Sequence, residues 1–177
     1  MKIEPQRRGY TLVEILVAIS LIAALGAISY SLVQKAIQRA YAMHCTGNLR
    51  SLGEALQLYA ADHQGNFPTL VAARHDKDSE EAALDNTLDE YADNPEVFHC
   101  RADHGGFFEK TGCSYFWNTV MNDQNIASLS FLTTRDATRI PVISDKENFH
   151  RYQGIEVNIL FADGAVKKDM MFSVGGK

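Results

Sequence analysis

Residues Tyr10 to Val33 form an almost unbroken apolar run in which Glu14 is the only charge. A helix rising about 1.5 Å per residue carries this run about 36 Å, enough to cross a hydrocarbon core of about 30 Å with some tilt. The pattern therefore predicts a membrane-spanning helix. Past Val33 the apolar positions thin to Ile37, Tyr41, Cys45, Leu49, Leu52, Leu56 and Tyr59, at steps of four or three, with Gln34, Lys35, Gln38, Arg39, Arg50 and Glu54 between them. The same helix is thus expected to continue as an amphipathic one whose stripe lies on a globular head. Gly65 offers a stop and Pro68 blocks continuation. Gly26, Gly47 and Gly53 each weaken the helix by about 1 kcal/mol relative to Ala; in a packed filament such glycines would allow close approach or local melting, with a simple tolerated glycine the preferred reading at Gly53.

Beyond Pro68 the periods shorten. Asp78-Ser-Glu-Glu81 is a capping signal for a short helix through Ala82, Ala83, Leu84, Leu88 and Tyr91, ending near Asn94-Pro95. Strands are predicted at Ser114 to Thr119 and Ile140 to Ser144. A hairpin follows from Ile155 to Ala162 and from Ala165 to Phe172, turning at Asp163-Gly164 with the positive backbone angles of a primed turn. The alternation through Val157, Ile159 and Phe161 is imperfect, which leaves the register open. The fold class that follows is α+β: a long amino-terminal helix on a small antiparallel sheet.

The chain has 177 residues and a net charge of −5. Lys2, Arg7 and Arg8 against Glu4 make the first nine residues +2, leaving −7 for the remainder. Basic residues before the helix place the amino terminus in the cytoplasm and the head outside the inner membrane. An acidic head argues against nucleic acid as the main ligand, because phosphate binding needs clustered Lys and Arg. About 140 residues past the anchor suffice for one core. Inside the anchor, Glu14 is costly, on the order of 2.5–3.5 kcal/mol near a bilayer centre and less near an end, so it requires a partner or a place near the headgroups.

An ordinary secretory signal would place a small-residue cleavage site after the apolar core. Here the break precedes it, at Gly9, in Arg7-Arg8-Gly9-Tyr10-Thr11-Leu12-Val13-Glu14. This run resembles the class III leader of type IV pilins and type II secretion pseudopilins. The stem from Cys45-Thr-Gly-Asn-Leu-Arg through Leu-Tyr-Ala-Ala-Asp62 to Gly65-Asn-Phe-Pro68 is similar to a pseudopilin G-like subfamily. The resemblance implies that prepilin peptidase cuts after Gly9 and methylates the new amine of Tyr10, where the family usually has Phe. It divides the chain into a leader (1–9), a transmembrane and filament-core helix (10–33), an amphipathic helix packing on the head (34–64) and a globular α+β head (65–177).

In such a subunit the carboxylate of Glu14 meets the terminal amine of a neighbour and is neutralised inside an apolar bundle. The implied partners are the peptidase, copies of the chain and other pilin-like subunits, the membrane before assembly, and an inner-membrane assembly platform with its ATPase. The assembled filament would be periplasmic or on the cell surface. Leu160-Phe-Ala-Asp163-Gly164 also resembles the second half of a His-x9-Asp-Gly element of some pilin-like proteins. The position ten before Asp163 is Gln153 and His150 lies three further back, so only the turn is carried over. The alternative reading is a non-assembling single-pass protein with a ligand-binding or sensing head.

Cys100 and Cys113 flank His104 and a Gly-Gly turn, and a bridge between them would close a loop of about fourteen residues, for roughly 3 kcal/mol. That bridge is the expectation, with free thiols or a metal cluster of His99, Cys100, His104 and Cys113 as alternatives. Cys45 is expected to be buried as a small apolar residue. Asp145, Glu147, Asp163 and Asp169 are hard oxygen donors that could take calcium, but without the spacing of a calcium loop they are not assigned as ligands. No nucleophile elbow, zincin helix or phosphate-binding glycine loop is present, so the chain reads as a substrate of processing enzymes and not as an enzyme.

Overall fold

A computed structural model describes residues 9–150 and 156–170. Residues 1–8 of the expected leader, Gln153, and the ends of the predicted hairpin at Ile155, Met171 and Phe172 lie outside the described residues. The chain forms two compact units, Met1–Ile37 and Gln38–Lys177.

One helix, α1, runs Leu12–Asp62. In the first unit every described residue is exposed, and the stretch is apolar and long enough to cross a membrane by length and composition. In the second unit the stripe is buried: Ala42, Cys45, Leu49, Leu52, Gly53, Ala55, Leu56 and Ala60 face the core. Tyr41 and Tyr59 pack at its edges. The stop is where the glycine predicted it. Gln64 and Gly65 both take positive φ, and the Gly65 N–H donates to the Ala60 carbonyl at 2.7 Å, satisfying a carbonyl the helix end would orphan.

The sheet has four antiparallel strands in the order β1-β2-β3-β4: β1 Tyr115–Trp117, β2 Pro141–Asp145, β3 Glu156–Phe161 and β4 Val166–Met170. Leu160 joins Tyr115, Trp117 and Ile143 in the main core with the α1 stripe, while Val157, Ile159 and Phe161 form a second buried cluster. Both faces of β3 are therefore buried, which is why its alternation was imperfect in the sequence. Gly53 is more than tolerated. A Cβ there would lie 3.2 Å from Leu160 Cδ2, so the bare backbone lets α1 approach the sheet.

The hairpin forms at Asp163-Gly164, but its turn is not a primed one. Only Gly164 has positive φ, the Gly164 N–H donates to Phe161 O at 2.9 Å, and the Phe161 N–H donates to Ala165 O at 2.9 Å. This is a three-residue loop, a type I turn closed by a left-handed glycine. Asp163 Oδ1 accepts from the Ala165 N–H at 3.0 Å, so the aspartate holds the turn.

The predicted helix after Pro68 shrinks to α2, Leu84–Thr87, followed by single 3-10 turns. Asp78 does not cap it. Arg74, itself buried, donates to the carbonyls of Lys77 and Ser79 and pairs with Asp85, so residues 77–79 wrap a guanidinium instead of starting a helix. A further short helix, α3 Phe107–Thr111, is held by Asp103, whose carboxylate accepts from the Phe107 and Phe108 N–H groups at 3.2 and 2.9 Å.

Candidate functional site

At the amino terminus Gly9 and Tyr10 precede the helix in an exposed, non-helical segment. Glu14 lies in the first turn, and its Oε2 accepts from the Thr11 N–H at 2.7 Å and from Thr11 Oγ1 at 2.9 Å, while Thr11 Oγ1 accepts from the Glu14 N–H at 3.2 Å. Thr11 and Glu14 thus form a reciprocal capping box that satisfies two otherwise orphaned donors. In the single chain this is the role of the charge in the apolar run. The signal, Thr-x-x-Glu at the head of an apolar stretch, stood in the sequence, but Glu14 was expected to meet headgroups or a neighbour's amine and not its own helix end. Around it Leu12, Ile15, Leu16 and Ile19 leave about half or more of their surfaces uncovered.

Residues 5–30 match the family model described as the prokaryotic N-terminal methylation motif. The amino terminus is of the prepilin type. The match covers the leader end, the Gly9–Tyr10 junction, the capping box and most of the apolar run, and the motif is a structural one, not a catalytic one. It supports a type IV pilin-like or pseudopilin subunit and an anchor in the inner membrane. No curated protein and no solved structure matches the chain.

In the head the cysteines pair differently from the sequence expectation. Cys45 bonds Cys100, with Cα atoms 5.1 Å apart, and Cys113 is a buried free thiol. Helix geometry gives the reason. Asn48, one turn from Cys45 on α1, donates through Nδ2 to the His99 carbonyl at 2.8 Å and draws the segment before Cys100 onto the stripe. The Cys100 N–H donates to Ser114 Oγ at 3.1 Å, and the Tyr115 N–H donates to Cys113 Sγ at 3.3 Å. Burial pushes the Cys113 thiol up to about 12, so it is inert at neutral pH. Nor do the four residues of the alternative cluster converge, since the His99 ring stacks on Phe108 at 4.5 Å.

A different set surrounds the disulfide. His150, 3% exposed, places Nε2 at 3.6 Å from Cys100 Sγ and 3.9 Å from Asp145 Oδ2. Asp145, fully buried at the end of β2, accepts through Oδ2 from the Asn158 N–H at 3.0 Å and from Asn158 Nδ2 at 2.8 Å. Burial raises the Asp145 carboxyl to about 7 against those hydrogen bonds and lowers the His150 imidazole to about 4. At 3.9 Å the pair is too long for a hydrogen bond, and burial disfavours charge on both, so near neutral pH the contact is not a strong ion pair. His150 also lines a cavity of about 350 Å³ with Tyr41, His104, Glu147 and Phe149.

The sequence offered Asp145 as an oxygen donor and His150 as an unmatched histidine, but nothing local joins them to Cys100; Asp145 pairs with Tyr115 across β1 and β2, next to Ser114, whose Oγ accepts from the Cys100 N–H. Among the calcium candidates, Asp145 is bound to Asn158 and Asp163 to its own turn, and the Asp169 side chain lies outside the described residues.

Proposed function

We propose that the chain is a structural subunit of a type IV pilus-like or type II secretion pseudopilus filament, cut after Gly9 by prepilin peptidase, methylated on Tyr10 and assembled through its first unit. One observation carries this reading. The stretch Leu12–Val33 is apolar all round and wholly exposed in the single chain, headed by the methylation motif and one carboxylate. Apolar surface of that extent must be covered, first by lipid and then by the same surface of neighbouring subunits. The amino terminus begins in the cytoplasm, and the head faces the periplasm until an ATPase-driven platform extracts the chain. Contacts of this kind repeat without closing and so generate a fibre.

Glu14 changes partner on assembly. In the single chain it caps its own helix; in the fibre the methylated amine of the next subunit neutralises it, which fixes register. The test is the intact mass of membrane-extracted protein made with and without a prepilin peptidase. Loss of Met1–Gly9 only with the peptidase, with one methyl on Tyr10, supports the class, and a retained leader in its presence favours an anchored sensor. Glu14→Leu should be cleaved normally yet assemble at least about tenfold less, a difference of about 1.4 kcal/mol. Assembly equal to wild type would remove the register role.

A further inference from the structure

We propose that Cys45, Cys100 and His150, flanked by Asp145, form a zinc-class metal site when the two cysteines are thiols, so that one buried locus is closed either by a disulfide or by an ion. The Sγ atoms of Cys45 and Cys100 and a ring nitrogen of His150 all lie within 4.8 Å of one another, and all three residues are buried. A tetrahedral ion with Zn–S of about 2.3 Å and Zn–N of about 2.1 Å holds its sulfur and nitrogen ligands about 3.6 Å apart. Cys100 Sγ and His150 Nε2 stand at 3.6 Å.

The second, independent observation is Asp145. Its Oδ2 lies 3.9 Å from the same Nε2, and its Oδ1, buried, has no hydrogen-bond partner among the described residues. A buried carboxylate oxygen without a donor is costly, and a cation is the partner that would satisfy it. Asn158, bonded to Oδ2 through both its N–H and Nδ2, fixes the carboxylate as second-sphere groups fix metal ligands. Two sulfurs and one imidazole select zinc over calcium, whose ligands are all oxygen. His150 is the member of the cluster that also lines the cavity with His104 and Glu147.

The thiol state is that of the chain before oxidation, so ion binding requires no reductant there. Two thiols and one M2+ give a dithiolate complex and release two protons to water. Starting from the disulfide, a phosphine with one water reduces the S–S bond to two thiols and becomes the phosphine oxide. Formation of the disulfide by a disulfide-bearing oxidant withdraws both sulfurs and expels the ion.

The experiment uses the full-length chain in detergent, reduced with a phosphine and titrated with cobalt(II) and then zinc. Wild type and Cys113→Ser should each bind one cobalt with thiolate charge-transfer and tetrahedral d–d absorption, lose both bands to zinc, and bind none as the disulfide. His150→Ala should weaken cobalt binding by more than about tenfold. Because that variant removes a buried side chain, His150→Cys is the companion, expected to keep one ion and raise the thiolate charge-transfer intensity by about half, from two sulfurs to three. Asp145→Asn should weaken binding and keep the two-thiolate intensity. Absence of the bands in reduced wild type, their loss in Cys113→Ser, or unchanged affinity and intensity in both His150 variants would overturn the proposal.

Discussion

Ile22 and Leu49 sit on the same helix and carry side chains of equal size, yet Ile22 is 70% exposed and Leu49 is fully buried. Around Ile22 the sequence is apolar on every face; around Leu49 it is apolar on one stripe with charged residues between. A helix uniform in character has no preferred inside, so its own pattern names no face to bury. A striped helix carries the instruction for its own fold. The first unit is thus held by local terms, a capping box and helix propensity, and the second by long-range ones: a disulfide spanning 55 residues, a core and a sheet.

The sharpest test of that contrast is the disulfide. In the chain-entropy treatment a bridge over 55 residues contributes roughly 4 kcal/mol. Cys45→Ser should lower head stability by about that amount in denaturant titration, and a nonreducing peptide map should join Cys45 to Cys100 in both wild type and Cys113→Ser. A Cys100–Cys113 peptide would reverse the assignment. Next in size, Leu49→Ala should cost about 2–5 kcal/mol, and Ile22→Ala should leave the thermal midpoint of the head unchanged. If the two shifted it equally, the units would not be energetically separate.

Two glycines sharpen the contrast within α1. A Cβ at Gly47 meets nothing within 4 Å, whereas one at Gly53 presses on Leu160. Gly47→Ala should therefore stabilise by about 0.5–1 kcal/mol through helix propensity, and Gly53→Val should destabilise by about 1–3 kcal/mol through overpacking. Equilibrium unfolding of the two variants side by side gives the sign.

The buried pair in the head yields opposed pH slopes. Asp145 folded holds its proton to about 7 where the unfolded carboxyl releases it at 3.8, so its contribution falls as pH rises between them. His150 folded stays neutral to about 4 where the unfolded ring protonates at 6.5, so its contribution is lost as pH falls across that window. In wild type the two nearly cancel from about pH 4 to 6.5. Asp145→Asn should expose the histidine slope, with stability decreasing on acidification by up to about 1.4 kcal/mol per pH unit, and His150→Gln should expose the reverse. The most local effect belongs to the first unit. Thr11→Ala should fray the first turn of α1 for about 1 kcal/mol, seen as faster amide exchange there with no change in the head.

Features that depend on neighbours along the chain were legible in the residues alone. The span Tyr10–Val33, the stripe from Cys45 to Leu56, the stop at Gly65 and the hairpin at Asp163-Gly164 all repeat at the period of one element or sit at its end, so residues a few positions apart suffice to specify them. The capping box was equally legible, in Thr11 and Glu14. Only the tertiary structure decided which sulfur Cys100 meets, that Gly53 is a contact and not a defect, that Arg74 unmakes the expected cap at Asp78, and that His150 and Asp145 converge on the disulfide. The cysteine, glycine and histidine outcomes join residues tens of positions apart, and the Arg74 outcome turns on the burial of a guanidinium. Sequence spacing carries no information about such distances, and Cys113, close to Cys100 along the chain, has no advantage over Cys45 once Asn48 has drawn the His99–Cys100 segment onto the helix.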